Sequence, residues 1–250
     1  MIPLHDDNPT ELAPIVTVAT IVACAAVFLW QVTLPPGADE AAVRALGVTP
    51  AVLLGEARLS RELELVPPAA TVVTSMFLHG GWMHLIGNMV YLWIFGNNIE
   101  DSMGHVRFVV FYVLCGAAAA LAQTFAAPDS TIPMIGASGA IAGVLGAYLV
   151  LFPRAHVVVL IFAGVFSQTA RLPALLVLGF WFVLQFVNAF VGSGGHGGGV
   201  AWWAHVGGFV AGLVLIYLFR RRGGGPRADD GPSSFGGPWG RRRQFGPWGR

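Results

Sequence analysis

The stretch 136–152, GASGAIAGVLGAYLVLF, carries a serine at Ser138 and then no charged residue over the rest of its length. The stretch 201–219, AWWAHVGGFVAGLVLIYLF, has the same form, with a histidine at His205 near its start. Apolar segments of about 20 residues can cross the ~30 Å hydrocarbon core of a membrane. Serine and histidine side chains at such a depth cost free energy unless they are paired, so both residues mark a candidate functional site.

The whole chain is strongly apolar. Hydrophobic residues make up 55% of its 250 residues, charged residues make up 11%, and the mean hydropathy is +0.68. This composition excludes an ordinary soluble domain and predicts an all-α membrane protein. The run from Val157 to Phe166 has only ten residues, so we expect it at the membrane interface or inside the bundle. Six longer segments are predicted transmembrane helices, namely 12–33, 80–99, 106–127, 137–152, 172–191 and 201–219.

Arginine supplies every basic residue of the chain, and its distribution predicts the orientation. A six-span arrangement puts Arg44, Arg58 and Arg61 on one side and the other eleven of the fourteen arginines on the opposite side. Because cytoplasmic loops are rich in arginine, both termini are predicted to be cytoplasmic. The predicted organisation is a cytoplasmic N-terminus at 1–11, a six-span domain at 12–219 with a long folded outer loop at 34–70, and a disordered Gly/Pro/Arg-rich cytoplasmic tail at 220–250.

This topology brings several polar residues to one depth, because the second, fourth and sixth spans all start at the outer surface. Residues three or four apart share one face of a helix, and rows of small residues let two membrane helices approach closely. The fourth and sixth spans are therefore predicted to touch, with a hydroxyl and an imidazole within hydrogen-bond distance. The polar layer consists of His79, His84, Asn88, Ser138 and His205. The rows of small residues continue through Ala142 and Gly146 after the serine and through Gly208 and Gly212 after the histidine.

Each of these residues also has a structural interpretation. A serine in a membrane helix commonly donates to the carbonyl one turn back, and a histidine near a helix start can face interfacial water. His84 and Asn88 can hold two helices together by hydrogen bonds. Metal binding by His79, His84 and His205 is a rival use, but no carboxylate or cysteine accompanies them at that depth. No metal and no other cofactor is therefore expected.

Four stretches carry a resemblance to a known family. They are 74–88, TSMFLHGGWMHLIGN; 96–101, GNNIED; 136–139, GASG; and Ala204-His205 followed by Gly208 and Gly212. In order and spacing they resemble the motifs of the rhomboid intramembrane serine proteases, over about 12–219. The resemblance implies a six-transmembrane-helix rhomboid bundle in which Ser138 is the nucleophile and His205 the general base, a dyad without the carboxylate of a triad.

The same resemblance implies roles for the other site residues. The oxyanion hole would be formed by His84, Asn88 and the backbone of Ser138. Structural support would come from His79, Gly136, Gly139, Gly208 and Gly212. A lateral gate on the fifth span would consist of Trp181, Phe182 and Phe186. Ala142 stands where some members of the family have an aromatic residue that packs on the base, so other neighbours must orient the histidine.

The function that the resemblance implies is intramembrane serine endopeptidase activity on the transmembrane segments of other membrane proteins, in the lipid bilayer and near its outer surface. An alternative is a catalytically inactive rhomboid-like binder of transmembrane clients, although inactive relatives usually lack the serine or the histidine. A transporter is expected to have Asp, Glu or Lys inside its membrane spans, and the predicted spans lack these residues. The arginine-rich tail is expected to touch anionic lipid, and no nucleic-acid partner is expected. The composition favours a bacterial plasma membrane.

Overall fold

The computed structural model describes residues 1–163, 166–192 and 200–221. Over these residues the chain is mostly helical, with one small antiparallel sheet. A 3-10 helix at Ser75–Phe77 lies between the helices Pro68–Thr74 and Trp82–Met103. The elements are β1 Ile2–Asp6, α1 Ile15–Thr33, α2 Ala38–Leu46, α3 Pro50–Leu53, α4 Pro68–Thr74, α5 Trp82–Met103, α6 His105–Ala126, α7 Ser138–Leu151, β2 His156–Ala163, β3 Phe166–Pro173, α8 Ala174–Gly192 and α9 Trp202–Phe219.

Each of the six predicted transmembrane segments coincides with a helix, and the helix starts lie within a few residues of the expected positions. Within the described part of the chain, four helices are long and apolar enough to cross a membrane, namely α1, α6, α8 and α9. Of the other two, α5 has Glu100 and Asp101 near its end, and α7 has only 14 residues. The predicted tail at 220–250 lies outside the described residues except for Arg220 and Arg221.

Helix α7 lies at the centre of the bundle, in contact with α5, α6, α8 and α9. Its residues 139–148 are all buried. The predicted contact between α7 and α9 is present, and it is made backbone to backbone through glycine. A Cβ on Gly212 would overlap the carbonyl of Gly143, and one on Gly208 would overlap the carbonyl of Gly139. Such contacts bring two membrane helices as close together as their backbones allow.

The prediction of an all-α fold is wrong in one respect, because three strands form a sheet in the order β1-β2-β3. The apolar run from Val157 to Phe166 is not a helix; most of it is strand β2, which pairs with β1 on one side and β3 on the other. The strand has a physical cause in the sequence: Val157, Val158 and Val159 are β-branched, and burial alternates along them. Its partner β1 lies more than 150 residues earlier in the chain, where local periodicity cannot identify it.

The predicted N-terminal segment at 1–11 is part of this folded structure. Asp6 accepts hydrogen bonds from the Tyr148 hydroxyl of α7 at 2.6 Å and from the Asn98 amide of α5 at 2.9 Å. Asp7 accepts from the backbone N–H of His156 at 2.7 Å and forms an ion pair with Arg171 of β3. The first strand therefore ties the sheet to the C-terminal halves of two bundle helices.

Glu100, near the end of α5, caps the start of α1. Its buried carboxylate accepts hydrogen bonds from the backbone N–H groups of Val16 and Thr17 at 2.9 and 2.8 Å and from the Thr17 hydroxyl at 2.7 Å. These N–H groups have no partner inside their own helix, and a carboxylate at a helix N-terminus also interacts favourably with the helix dipole. The C-terminal end of α5 is thereby fixed against the N-terminal end of α1.

The segment at 34–70, predicted as a folded outer loop, contains two short helices and the start of a third. Ala42 and Ala45 of α2 are buried, and Val48 forms an isolated β-bridge with Met134 in the segment that leads into α7. The bridge connects this loop to the start of the helix that carries Ser138.

Asp6 gives the stability a predicted pH dependence. Burial raises the pKa of its carboxyl to about 6 from 3.8, against the lowering effect of the Tyr148 hydrogen bond. A carboxyl with a raised pKa stabilises the fold fully below its unfolded pKa, and this contribution is lost as pH rises through about 6. Between about pH 4.5 and about pH 7.5 the loss is about 2 kcal/mol in the free energy of unfolding. Thermal unfolding in detergent measures the effect, and the stability of Asp6→Asn should not show this decrease over the same pH range.

The control for this prediction is Glu56→Gln, which changes an exposed carboxylate in the loop after α3. Its unfolding midpoint should follow the wild-type pH curve. Wild-type and Asp6→Asn curves that run parallel across this pH range would contradict the prediction.

Candidate functional site

Three helices start at the same end of the bundle, and each has a polar side chain in its first turn. Ser138 is the first residue of α7, His205 the fourth of α9 and His84 the third of α5. The Ser138 Oγ and the His205 Nε2 lie 2.8 Å apart. The structure thus brings the serine of 136–152 and the histidine of 201–219 into hydrogen-bond contact.

The turn before α7 positions Ser138. Gly136 has φ +120°, a conformation that favours glycine, and its N–H donates to the Ser75 carbonyl at 2.9 Å. A Cβ at Gly136 would lie 2.7 Å from the His84 Nε2, so only glycine lets the turn approach this ring. Because Ser138 is the first residue of its helix, the helix provides no acceptor for its backbone N–H. The Ser138 hydroxyl and the Ser138 backbone N–H therefore both lie at the start of α7.

The His205 ring is held between two hydrogen-bond partners. Its Nε2 faces Ser138, and its Nδ1 lies 2.7 Å from the Gln185 Oε1 of α8. An amide oxygen can only accept, so Nδ1 carries the hydrogen of the neutral ring and Nε2 has the lone pair. The Trp181 and Trp202 rings flank the imidazole, with centroids at 5.9 and 6.1 Å. In this tautomer the ring can accept the proton of the serine hydroxyl.

Sequence reasoning missed Gln185. It lies one helical turn after Trp181 in the apolar helix α8 and is buried. The signal was present, because Gln185 is one of only two amide side chains in the apolar helix α8, and a polar side chain within an apolar membrane segment marks a candidate functional residue.

His84 points a donor toward the start of α7. Its Nδ1 accepts from the Gly80 N–H at 3.2 Å, so the ring hydrogen is on Nε2, the atom near Gly136. Asn88 lies one turn further along α5, and its amide donates to the His84 carbonyl at 3.0 Å. Asn88 is buried and does not line the cavity that contains Ser138. The structure brings His84 to the site and places Asn88 behind it.

His79 lies in the segment before α5 and is buried. Gln31 of α1 binds its backbone on both sides: the Gln31 Oε1 accepts from the His79 N–H at 3.0 Å, and the Gln31 Nε2 donates to its carbonyl at 3.3 Å. The His79 ring contacts the His84 ring edge to face, with centroids 5.2 Å apart. His79 thus connects α1 to His84.

A cavity of about 540 Å³ opens at this end of the bundle. Its polar lining includes Ser138, His205 and His84, and much of the rest is apolar or glycine. The apolar part includes Met83, Met134, Ile135 and Val200. A cavity with apolar walls and a few convergent polar groups is the usual form of a binding or catalytic site.

The three aromatic residues predicted as a gate lie along α8. The Trp181 ring is near Tyr91 of α5, at 6.5 Å, as well as near the His205 ring of α9. The Phe182 ring stacks on Phe209 of α9 at 4.5 Å. Phe186 packs against Phe182 and Phe190 of the same helix, and 43% of its surface remains exposed. Two of the three rings therefore pack against α9, and Trp181 also bridges to α5.

The family assignment follows from comparison with protein-family models. The model described as "Rhomboid domain" matches residues 68–222, more than half of the chain. This chain is a member of the rhomboid family. The matched rhomboid region begins at α4 and includes Ser138, His205 and His84, whereas β1, α1, α2 and α3 precede it.

Several named rhomboid relatives are similar to this chain. RHOMBOID-like protein 11, chloroplastic, of Arabidopsis thaliana is 27% identical over 158 residues, which are 60% of this chain and 52% of the relative. Rhomboid protease GluP of Bacillus subtilis is 32% identical over 146 residues, 58% of this chain and 25% of the relative. Rhomboid protein 1, mitochondrial, of Saccharomyces cerevisiae is 31% identical over 103 residues, 40% of this chain and 30% of the relative. The alignments thus span a quarter to about half of these rhomboid proteins.

Proposed function

We propose that this rhomboid protein is a serine endopeptidase that hydrolyses peptide bonds in or near transmembrane segments of other membrane proteins. The observation that carries the proposal is the 2.8 Å contact between the Ser138 Oγ and the His205 Nε2. A hydroxyl next to an imidazole of the accepting tautomer is the arrangement that activates a serine nucleophile. Both residues line the cavity of about 540 Å³, with the His84 Nε2 donor close by.

In the proposed reaction, the Ser138 Oγ attacks the scissile carbonyl and His205 accepts the hydroxyl proton on Nε2. A bond forms between Oγ and the carbonyl carbon, and the carbonyl oxygen becomes an oxyanion. His205 then gives the proton to the nitrogen of the leaving amine as the peptide bond breaks. The N-terminal part of the substrate remains as an ester on Ser138. A water molecule that loses a proton to His205 hydrolyses this ester.

Three donors are assigned to the oxyanion. The Ser138 backbone N–H has no acceptor within its helix, and the His84 ring presents the hydrogen on Nε2. The Asn88 amide has two N–H bonds, of which one is used on the His84 carbonyl. The other is assigned to the oxyanion by the family resemblance alone. Because Asn88 does not line the cavity that contains Ser138, its side chain would have to turn toward Ser138 to take this role. Loss of one such donor typically lowers kcat about 10²- to 10³-fold.

In the proposed membrane arrangement, six helices span and both termini are cytoplasmic, as the arginine distribution predicts. Helix α7, with 14 residues, is about 21 Å long at a rise of 1.5 Å per residue. It is therefore shorter than the ~30 Å hydrocarbon core. With the C-terminal end of α7 at the inner interface, Ser138 lies below the outer surface, and water would reach it through the cavity.

Substrates are proposed to approach from the bilayer past α8, where Trp181, Phe182 and Phe186 form the lateral gate. An extended backbone is needed for attack at the carbonyl. Substrate segments with small or helix-destabilising residues near the scissile bond expose their backbone at a lower cost. The proposed substrates are therefore single-span proteins with such residues near the outer end of the span.

The test is cleavage of two matched single-span reporters in liposomes that contain the purified protein. One reporter has a leucine-rich span throughout, and the other has Gly-Ala-Ser in the outer third of the same span. We expect wild-type protein to cut the second reporter about tenfold faster or more, because its helix unwinds more easily, and mass spectrometry should place the cut in the outer third. Ser138→Ala is the control that should cut neither.

If folded wild-type protein cuts neither reporter but retains one of them on co-purification, the client-binding interpretation replaces the protease. Cleavage that is unchanged in Ser138→Ala would exclude this serine as the nucleophile.

A further inference from the structure

We propose that Gln185 is a positioning residue that holds His205 in the tautomer and orientation needed for proton abstraction from Ser138. The inference rests on the proposed protease function and extends it to a residue outside the assigned dyad and oxyanion hole. Gln185 does not reach the cavity that contains Ser138, so it acts through His205 alone.

The direction of the hydrogen bond determines which tautomer the His205 ring adopts. The Gln185 Oε1 lies 2.7 Å from the His205 Nδ1 and accepts its hydrogen, which leaves the Nε2 lone pair free for Ser138. A ring with its hydrogen on Nε2 could not accept the serine proton. Among the described residues, Gln185 and Ser138 are the hydrogen-bond partners of this ring. The amide therefore selects the tautomer in which His205 is a base.

Packing alone does not fix the orientation of the His205 ring. A half-turn of the imidazole about its Cβ–Cγ bond exchanges the positions of nitrogen and carbon atoms with little change in shape. The Trp181 and Trp202 rings flank His205, and aromatic contact accommodates either orientation. Ala142, where some rhomboids have an aromatic residue, offers no ring at all. A hydrogen bond to Nδ1 distinguishes the two orientations.

The Gln185 side chain is itself held in place by its surroundings. Its side chain is buried, with 8% relative exposure, on a helix that packs against both α7 and α9. Burial restricts the rotamers of the long side chain and excludes water that would compete for Nδ1. An amide orients the ring as the carboxylate of a triad does. It has no charge to stabilise the imidazolium, so its contribution to the rate is expected to be smaller than that of a carboxylate.

The experiment compares wild type with Gln185→Leu, Gln185→Glu and the control Asn188→Leu, which removes the other amide of α8. Two readouts are the rate constant for labelling by a serine-directed fluorophosphonate and the kcat and KM for the Gly-Ala-Ser reporter. We expect Gln185→Leu to lower the labelling rate and kcat about 10- to 100-fold with little change in KM, because binding is intact and only the base is misoriented. Asn188→Leu should behave as wild type.

Gln185→Glu separates positioning from packing. It keeps the acceptor for Nδ1 and adds a negative charge next to the imidazole, so activity should be retained. The acidic limb of the pH–rate profile should move to higher pH, because the charge favours the imidazolium. A side chain that only fills space would produce no such movement.

The inference is overturned if the labelling rate constant of Gln185→Leu is within about twofold of the wild-type value. It is also overturned if the acidic limb of the pH–rate profile of Gln185→Glu coincides with that of wild type. Both results require an active wild-type protein. Failure of wild type to label or cleave would instead refute the proposed function, so the two failures are distinguishable. Unfolding midpoints in detergent confirm that the variants are folded.

Discussion

A fluorophosphonate probe is expected to label wild-type protein and to label neither Ser138→Ala nor His205→Ala. The probe forms a bond between its phosphorus and the serine oxygen, fluoride leaves, and the hydroxyl proton passes to the base. Ser138→Ala lacks the oxygen that would be modified. His205→Ala keeps the hydroxyl but lacks the acceptor 2.8 Å away, and removal of such a base lowers the rate by about 10⁴-fold or more. Gel fluorescence of the purified proteins in detergent gives both results without knowledge of a substrate.

The matched control is His5→Ala, which removes an exposed histidine of β1, remote in the fold from the start of α7. It should label at the wild-type rate. Equal labelling of wild type and Ser138→Ala would show that the signal comes from another residue. Labelling of His205→Ala at the wild-type rate would mean that the 2.8 Å contact does not activate the serine.

Gly212→Ala is expected to separate α7 from α9 and to inactivate the protein. The added methyl group would overlap the carbonyl of Gly143, a backbone atom that cannot move without shifting its helix. Overpacking of this kind costs about 3 kcal/mol or more when the backbone must move, which corresponds to a decrease of roughly 10 °C in the unfolding midpoint. Because α7 carries Ser138 and α9 carries His205, the separation also lengthens the hydrogen bond between them. Thermal unfolding and probe labelling measure the two effects.

Gly179→Ala provides the comparison, since the same change is made inside α8 where a Cβ would meet nothing within 4 Å. Alanine favours helix more than glycine does, so this variant should be as stable as wild type or slightly more stable. An unfolding midpoint of Gly212→Ala equal to that of Gly179→Ala would contradict the close contact between α7 and α9.

The helices and the cluster at their starts could be predicted because their signals are local. The length of each apolar run gave the helix positions, and the serine and histidine stand out within such runs. The contact of α7 with α9 followed from glycine spacing, since Gly208 and Gly212 recur every four residues. The meeting of Ser138 with His205 required only that both helices start at the same end.

Other features depend on contacts between distant residues, which no local pattern contains. Strand β2 is apolar and only eight residues long, so composition alone did not distinguish a strand from a buried helical turn. Its neighbour β1 is short and lies at the other end of the chain. Gln185 was missed for a related reason: the sequence shows two amides in an apolar helix, and only the packing of α8 beside His205 shows which of them matters.

The location of Gln185 has a consequence for the order of events in a catalytic cycle. Gln185 and Trp181 both belong to α8, and both contact the His205 ring. Any outward displacement of this helix that admits a substrate from the bilayer also withdraws the hydrogen-bond acceptor and one flanking ring from the base. The histidine is then free to turn away from Ser138, and it regains its orientation when α8 returns. If α8 is the proposed gate, entry of a substrate and proton abstraction therefore exclude each other in time, and the proposed enzyme cannot abstract the serine proton while it is open to lipid.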